Sequence, residues 1–283
     1  MKPLALRPRS LPLTNDGTYM TKAQGYSLER EDVEHKKGKV TVFTVHGRTK
    51  INLVGRALLD EMREVINNAA EDPSVRCAIL QGSTKEGLIG GADLKELGAL
   101  TRQNAADFVN AIHHVCEAIR KFPVPVIARL QGYCLGGGLE MAAACDFRIA
   151  DVTAIVGMPE VKIGVPSVVE AALLPQLIGW GKTRELVYRG NLIDAAEAYR
   201  IGLIEQLAKV GEIDSVIAEC VEDILAAAPG AIRTQKALCA EWERLSIDQA
   251  VTAGLSAFEN SYATDEPQRY VDAFFAESRS SKE

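Results

Sequence analysis

The sequence predicts an α/β protein with a mostly parallel sheet and a helical C-terminal portion. Three observations predict it. Short apolar runs at 75–81 and 126–130 alternate with amphipathic helical stretches. Glycine-rich turns follow strand signals and open helices, around Gly90 and around Gly136. Beyond about residue 213 apolar residues recur at helical spacing and strand signals cease.

The elements follow in order. Residues 1–25 carry Lys2, Arg7 and Arg9 among prolines without a periodic apolar face, so they read as a disordered leader. The arginines are few for a transit peptide, and an extension ahead of Met20 is an equal reading. Residues 26–34 and 39–45 alternate as two strands of a hairpin, turned at Lys36-Lys37-Gly38. Leu58, Leu59, Met62, Val65 and Ile66 give a helical face over 53–70, and 75–81 is a buried strand. A Gly-rich loop over 82–97 runs into a short helix. Asn104 with Asp107 is expected to cap a helix over 105–121, and Pro123 and Pro125 lead into the strand 126–130. After the glycines comes a small-residue helix, then a strand at 147–150, so strand–helix–strand crossovers repeat. Residues 154–160 continue as strand and loop. Ser167 with Glu170, and Asp194 with Glu197, have capping-box spacing, the second for a helix ending at Gly202. Helices are expected over 213–227, 232–244, 247–263 and 267–277. No linker or repeat divides the chain, so the organisation is a leader (1–25), an α/β core (26–210) and a helical region (211–283).

Composition excludes several classes. At 283 residues with 47% hydrophobic and 25% charged residues, the chain is an ordinary globular one with ample core. No apolar run reaches the roughly 18 to 20 residues that span a bilayer. A net charge of -6 argues against reliance on phosphate-backbone attraction, so no nucleic-acid partner is expected. Cys77, Cys116, Cys134, Cys145, Cys220 and Cys239 lack a C-x-x-C pair and suit reduced thiols in the cytoplasm, with neither disulfide nor metal. His35, His46, His113 and His114 lack H-E-x-x-H spacing or a triad-like setting.

The chemistry concentrates in 132–146. Successive glycines leave backbone N–H groups uncovered, and a helix start adds N–H groups without intrahelical partners, so a ligand oxygen can approach. A second such turn lies at Gly90-Gly91-Ala92-Asp93. Two N–H donors flanked by Glu140 and Glu160 are the parts needed to stabilise a thioester enolate and move protons. Packing of helix on strand is the bland alternative for the glycines, and a surface or Arg148-paired position the alternative for Glu160. Asp93 reads as a helix-start residue, Asp146 as a structural acceptor and Glu170 as a cap before a catalyst. A dinucleotide site fails because Met141 stands where a third glycine or alanine should fall.

From about Tyr26 to Arg279 the sequence resembles the enoyl-CoA hydratase/isomerase (crotonase) superfamily. The resemblance rests on Gly90-Gly91-Ala92-Asp93-Leu94-Lys95-Glu96, the stretch from Gly132 to Asp146, Pro159-Glu160 to Gly164, and Asp194 to Glu205. It implies a crotonase-like (ClpP/crotonase) spiral of repeated ββα units with a helical C-terminal oligomerisation region. It further implies Ala92 and Gly137 as the backbone N–H groups of an oxyanion hole, and Glu140 and Glu160 as the acid/base pair of a hydratase. One glutamate would activate water for attack on Cβ and the other supply the Cα proton, giving a 3-hydroxyacyl-CoA from a 2-enoyl-CoA. An isomerase, or another acyl-CoA reaction, is the alternative on the same scaffold, and a binding homologue without chemistry the remaining one. Ile51, Gly90 and Arg279 are the positions implied for coenzyme A, which belongs to the substrate, so no cofactor is expected. A homotrimer or dimer of trimers is implied for the assembly. One departure stands out: Pro166-Ser167-Val168-Val169-Glu170 replaces the glycine-rich Pro-Gly-x-Gly-Gly segment of hydratases and is one residue shorter. Ser278 stands where a lysine is common.

Overall fold

A computed structural model describes residues 27–280 except residue 48, with the side chains of 277–280 outside the described set. The leader over 1–25 and the Arg279 side chain therefore lie outside the described residues.

The chain opens with β1 (Ser27–His35) and β2 (Gly38–His46), an antiparallel hairpin in which Val33 faces Val40. β3 (Leu53–Val54) precedes α1 (Arg56–Ala70), which buries Leu58, Leu59, Met62, Ile66 and Ala69. The helix starts later than its apolar pattern suggests because Leu53 and Val54 are taken into strand pairing and Gly55 is extended. β4 (Val75–Gly82), β5 (Gly87–Ile89), β6 (Gly91–Ala92) and α2 (Leu94–Gly98) follow, then α3 (Ala105–Arg120) with Phe108, Ile112, Val115, Cys116 and Ile119 buried. β7 (Val126–Leu130), β8 (Tyr133–Leu135), the wholly buried α4 (Gly137–Ala144), β9 (Phe147–Asp151) and β10 (Ile155–Gly157) form the centre. Two 3₁₀ turns, Glu160–Ile163 and Val169–Leu173, lead to α5 (Leu174–Arg189). β11 (Leu192–Asp194), α6 (Ala195–Arg200) and β12 (Gln206–Ala208) complete the sheets, and α7 (Ile213–Ala226), α8 (Pro229–Trp242), α9 (Ile247–Ser261) and α10 (Glu266–Ser280) end the chain.

The main sheet has the order β1-β2-β4-β7-β9-β12, parallel from β2 onward. A second sheet, β11-β10-β8-β5, is parallel from β10 to β5, and β3 pairs with β6. Both faces of the main sheet are covered, which explains its continuous apolar runs. Ala78, Leu80 and Phe43 point to the side of α1, α3 and α4, while Cys77, Ile79, Val40 and Val42 point to α7. There α7 buries Ile213, Ile217, Val221 and Leu225, a spacing of four that keeps one stripe on the sheet. Each such side chain contributes about 1.5–3 kcal/mol of burial. Arg148, 1% exposed, ties the two halves together: its guanidinium pairs with Glu205 and donates to the carbonyls of Leu203, Ala142 and Cys145.

Several local expectations are corrected. Asn104 does not cap α3; its Oδ1 accepts from Thr101 N at 2.6 Å instead. Asp194 does cap α6, accepting from Glu197 N at 2.8 Å, but the Glu197 carboxylate turns to Arg200 and Lys182, so the reciprocal half of the box is absent. No capping box forms at Ser167, whose hydroxyl goes to Glu160 because the segment closes as a 3₁₀ turn. Arg148 is engaged by Glu205, which removes it as a partner for Glu160. β8 lies inside the glycine motif, where the sequence pattern signals no strand. Cys77, Cys116, Cys134 and Cys145 are buried free thiols, in keeping with their apolar neighbours.

Candidate active site

Three parallel strands deliver the chemical groups to one end of the second sheet. Ile89 of β5 pairs with Cys134 of β8, and Leu135 pairs with Gly157 of β10. Ala92 lies three residues past Ile89, Gly137 three past Cys134, and Glu160 three past Gly157. Leaving neighbouring strands in the same direction, these residues gather beyond the strands' carboxyl ends, where parallel sheets form their ligand crevices.

The two backbone donors arise differently. Asp93 N donates to Val54 O at 2.7 Å, and successive N–H groups of a strand face opposite edges, so the N–H of Ala92 faces away from β3. Gly137 is the first residue of α4, where an N–H has no intrahelical acceptor and the dipole favours negative charge. Gly136 takes φ 55°, which turns the chain from β8 into the helix. A Cβ there would overlap Glu160 Oε1, so the glycine lets the carboxylate lie against the turn. At Gly138 a Cβ would stand 2.5 Å from the Ile89 carbonyl, so α4 can rest directly on β5.

Glu140, in the first turn of α4, is 4% exposed. Its Oε1 accepts from Ala171 N at 3.3 Å, the N–H being shared with Val168 O at 2.9 Å. Burial pushes its carboxyl up to about 8, and the charge of Glu160 acts in the same direction. Glu160 is half-buried and receives Ser167 Oγ at 2.7 Å. With its carboxyl raised in this way Glu140 keeps its proton near neutral pH, which sets an acid beside a second carboxylate in one site.

The positions expected for coenzyme A divide. Ile51 and Gly90 meet, Gly90 N donating to Ile51 O at 2.7 Å beside Asn52, whose buried amide spans to Gly87 O and Leu88 O. Asp93 caps α2, accepting from Lys95 N, and Asp146 accepts from Val126 N and pairs with Lys236, so both are structural as expected. Sequence reasoning missed Ser167 and the His113–Glu170 contact of 2.8 Å. The serine seven residues past Glu160 is the available signal, but its spacing reads as a cap.

The enoyl-CoA hydratase/isomerase family model matches residues 35–282. A crotonyl-CoA hydratase from Syntrophomonas wolfei is 32% identical over 240 residues, covering 84% of this chain and 92% of the relative. A short-chain-enoyl-CoA hydratase from Clostridium acetobutylicum is 31% identical with the same coverage. Among solved structures, an enoyl-CoA hydratase from Bacillus anthracis superposes with a TM-score of 0.82 at 28% identity, over 90% of this chain and 97% of that one.

Proposed function

The chain belongs to the enoyl-CoA hydratase/isomerase family, and from that premise we propose that it adds water to a 2-enoyl-CoA to give the 3-hydroxyacyl-CoA. The observation that carries the reading is the pair of glutamates: Glu140, buried and within reach of the charge of Glu160, with both carboxylates beside the Gly136-Gly137 turn. The N–H groups of Ala92 and Gly137 hold the thioester oxygen as negative charge gathers on it, each worth about 3–4 kcal/mol in the transition state. The ionised member of the pair takes a proton from water while the oxygen adds to Cβ. The protonated member gives its proton to Cα from the same face. Afterwards the pair again holds one proton, so no external acid, metal or redox group enters the balance, and coenzyme A arrives with the substrate. Ile51, Gly90 and Arg279 are the positions through which that coenzyme A would be bound.

The exposed stripe Ile247, Val251, Leu255 and Phe258 on α9, continued by Tyr262 at its C-cap, supports assembly of copies through the C-terminal helices, as a trimer or pair of trimers. No helix among the described residues is long and apolar enough to cross a membrane, and unpaired thiols suit a cytoplasmic setting.

The test is incubation with crotonyl-CoA and medium-chain enoyl-CoAs, following loss of the conjugated-enoyl absorbance. Hydration should fall at least 100-fold in Glu140→Ala and in Glu160→Ala. No loss of absorbance with any chain length overturns the reading. An isomerase shuttles its proton on one carboxylate, so double-bond migration that survives Glu140→Ala would identify that reaction instead.

A further inference from the structure

One five-residue stretch holds both glutamates. At its start Ser167 Oγ donates to Glu160 Oε2 at 2.7 Å, and at its end Ala171 N donates to Glu140 Oε1 at 3.3 Å. Between them the backbone is strained: Val169 has φ 38°, a left-handed conformation that a β-branched residue adopts only when its surroundings force it. Glu170 follows at once, 7% exposed, and reaches across to α3, where its Oε1 lies 2.8 Å from His113 Nδ1. Its other oxygen is buried without an N–H or O–H partner, the weakly donating Cys116 thiol of α3 being the remaining polar group that interacts with the carboxylate. Strain at Val169 and a half-satisfied buried carboxylate at Glu170 both lower stability, and both fall in the turn that carries the Ala171 donor. A strap that served stability alone would be firmer with a glycine at the first position and an apolar side chain at the second. Costs of this kind gather where a geometry is needed for function.

We propose that residues 167–171 form a clasp that sets the relative position of Glu140 and Glu160, anchored to α3 by the His113–Glu170 contact. Ser167, Glu170 and His113 are then positioning residues, acting through the two glutamates. The inference rests on the two-glutamate reading above. It explains how a chain without the glycine-rich segment of other hydratases keeps its pair in register. Ser167 substitutes a side-chain donor for backbone freedom, and the Glu170 anchor fixes the strained turn.

The experiment compares Glu170→Leu, Glu170→Gln, His113→Ala and Val169→Gly with wild type. Glu170→Leu should keep or raise the melting temperature yet lower kcat for crotonyl-CoA at least tenfold with KM within twofold. Glu170→Gln retains an oxygen for His113 and should recover kcat to within about threefold of wild type. His113→Ala, a change at a half-exposed side chain, should match the kcat loss of Glu170→Leu and supply the result if that variant does not fold. Val169→Gly should be more stable and slower. Backbone amide exchange at Ala171 should quicken at least tenfold in His113→Ala, a readout that does not depend on which reaction the enzyme runs. Absence of hydration in wild type with this exchange change intact would sink the hydratase reading and leave the clasp standing. Unchanged kcat in both Glu170→Leu and His113→Ala, or unchanged exchange at Ala171, overturns the clasp.

Discussion

Replacing Glu140 by glutamine should make stability less dependent on pH, and the size of the effect follows from burial. Glu140 is 4% exposed, and its carboxyl is pushed up to about 8 by that burial first and by the charge of Glu160 second. In the unfolded chain the same group ionises near its ordinary 4.5. Between these values the folded state binds more protons than the unfolded one, so stability falls as pH rises through that window and levels off above about 8. The full span is worth about 5 kcal/mol, and the part between pH 5 and pH 9 about 4 kcal/mol. Glutamine carries no charge in either state and shows none of this loss. Relative to wild type, Glu140→Gln should therefore gain about 4 kcal/mol from pH 5 to pH 9, or roughly 10 °C in melting temperature for a chain of this size. Urea titrations followed by circular dichroism at pH 5, 7 and 9, at one protein concentration, read the difference directly. A mutational offset that stays constant within about 1 kcal/mol across that range would refute the buried-proton argument.

Two further outcomes follow from the same geometry. Glu140 loses its proton at about 8, so kcat/KM for crotonyl-CoA should fall about tenfold per pH unit above that point; a profile flat to pH 9.5 would contradict it. Gly136→Ala places a Cβ onto Glu160 Oε1 in a backbone with φ 55°, so initial rates should drop about 100-fold while the melting temperature falls by only a few degrees; a rate within threefold of wild type would show that the carboxylate need not touch the turn.

Patterns of local origin are legible in the residues alone. Hydrophobic spacing of four marks α7, and the continuous apolar run of β4 marks a strand buried on both faces. Capping is less legible, because Asn104 and Ser167 each have a hydroxyl, amide or carboxylate partner within reach that competes with the helix end. Ser167 with Glu170 shows the limit most clearly: the spacing of a capping box is present, but both side chains turn away to groups outside the turn, Glu160 and His113.

By itself the sequence determined the alternation of strand and helix, the two turns at Ala92 and Gly137, and the presence of Glu140 and Glu160 downstream of strands. Those features depend on local propensity, on glycine's access to positive φ and on side-chain periodicity, all of which act over a few residues. Only the tertiary structure decided that β5, β8 and β10 lie side by side and so bring Ala92, Gly137 and Glu160 to one end of the second sheet. Only it decided that Glu140 is dry enough for its carboxyl to rise to about 8, since the water excluded from that carboxylate is displaced by residues distant in sequence, the Val169–Leu173 turn with its Ala171 N–H among them.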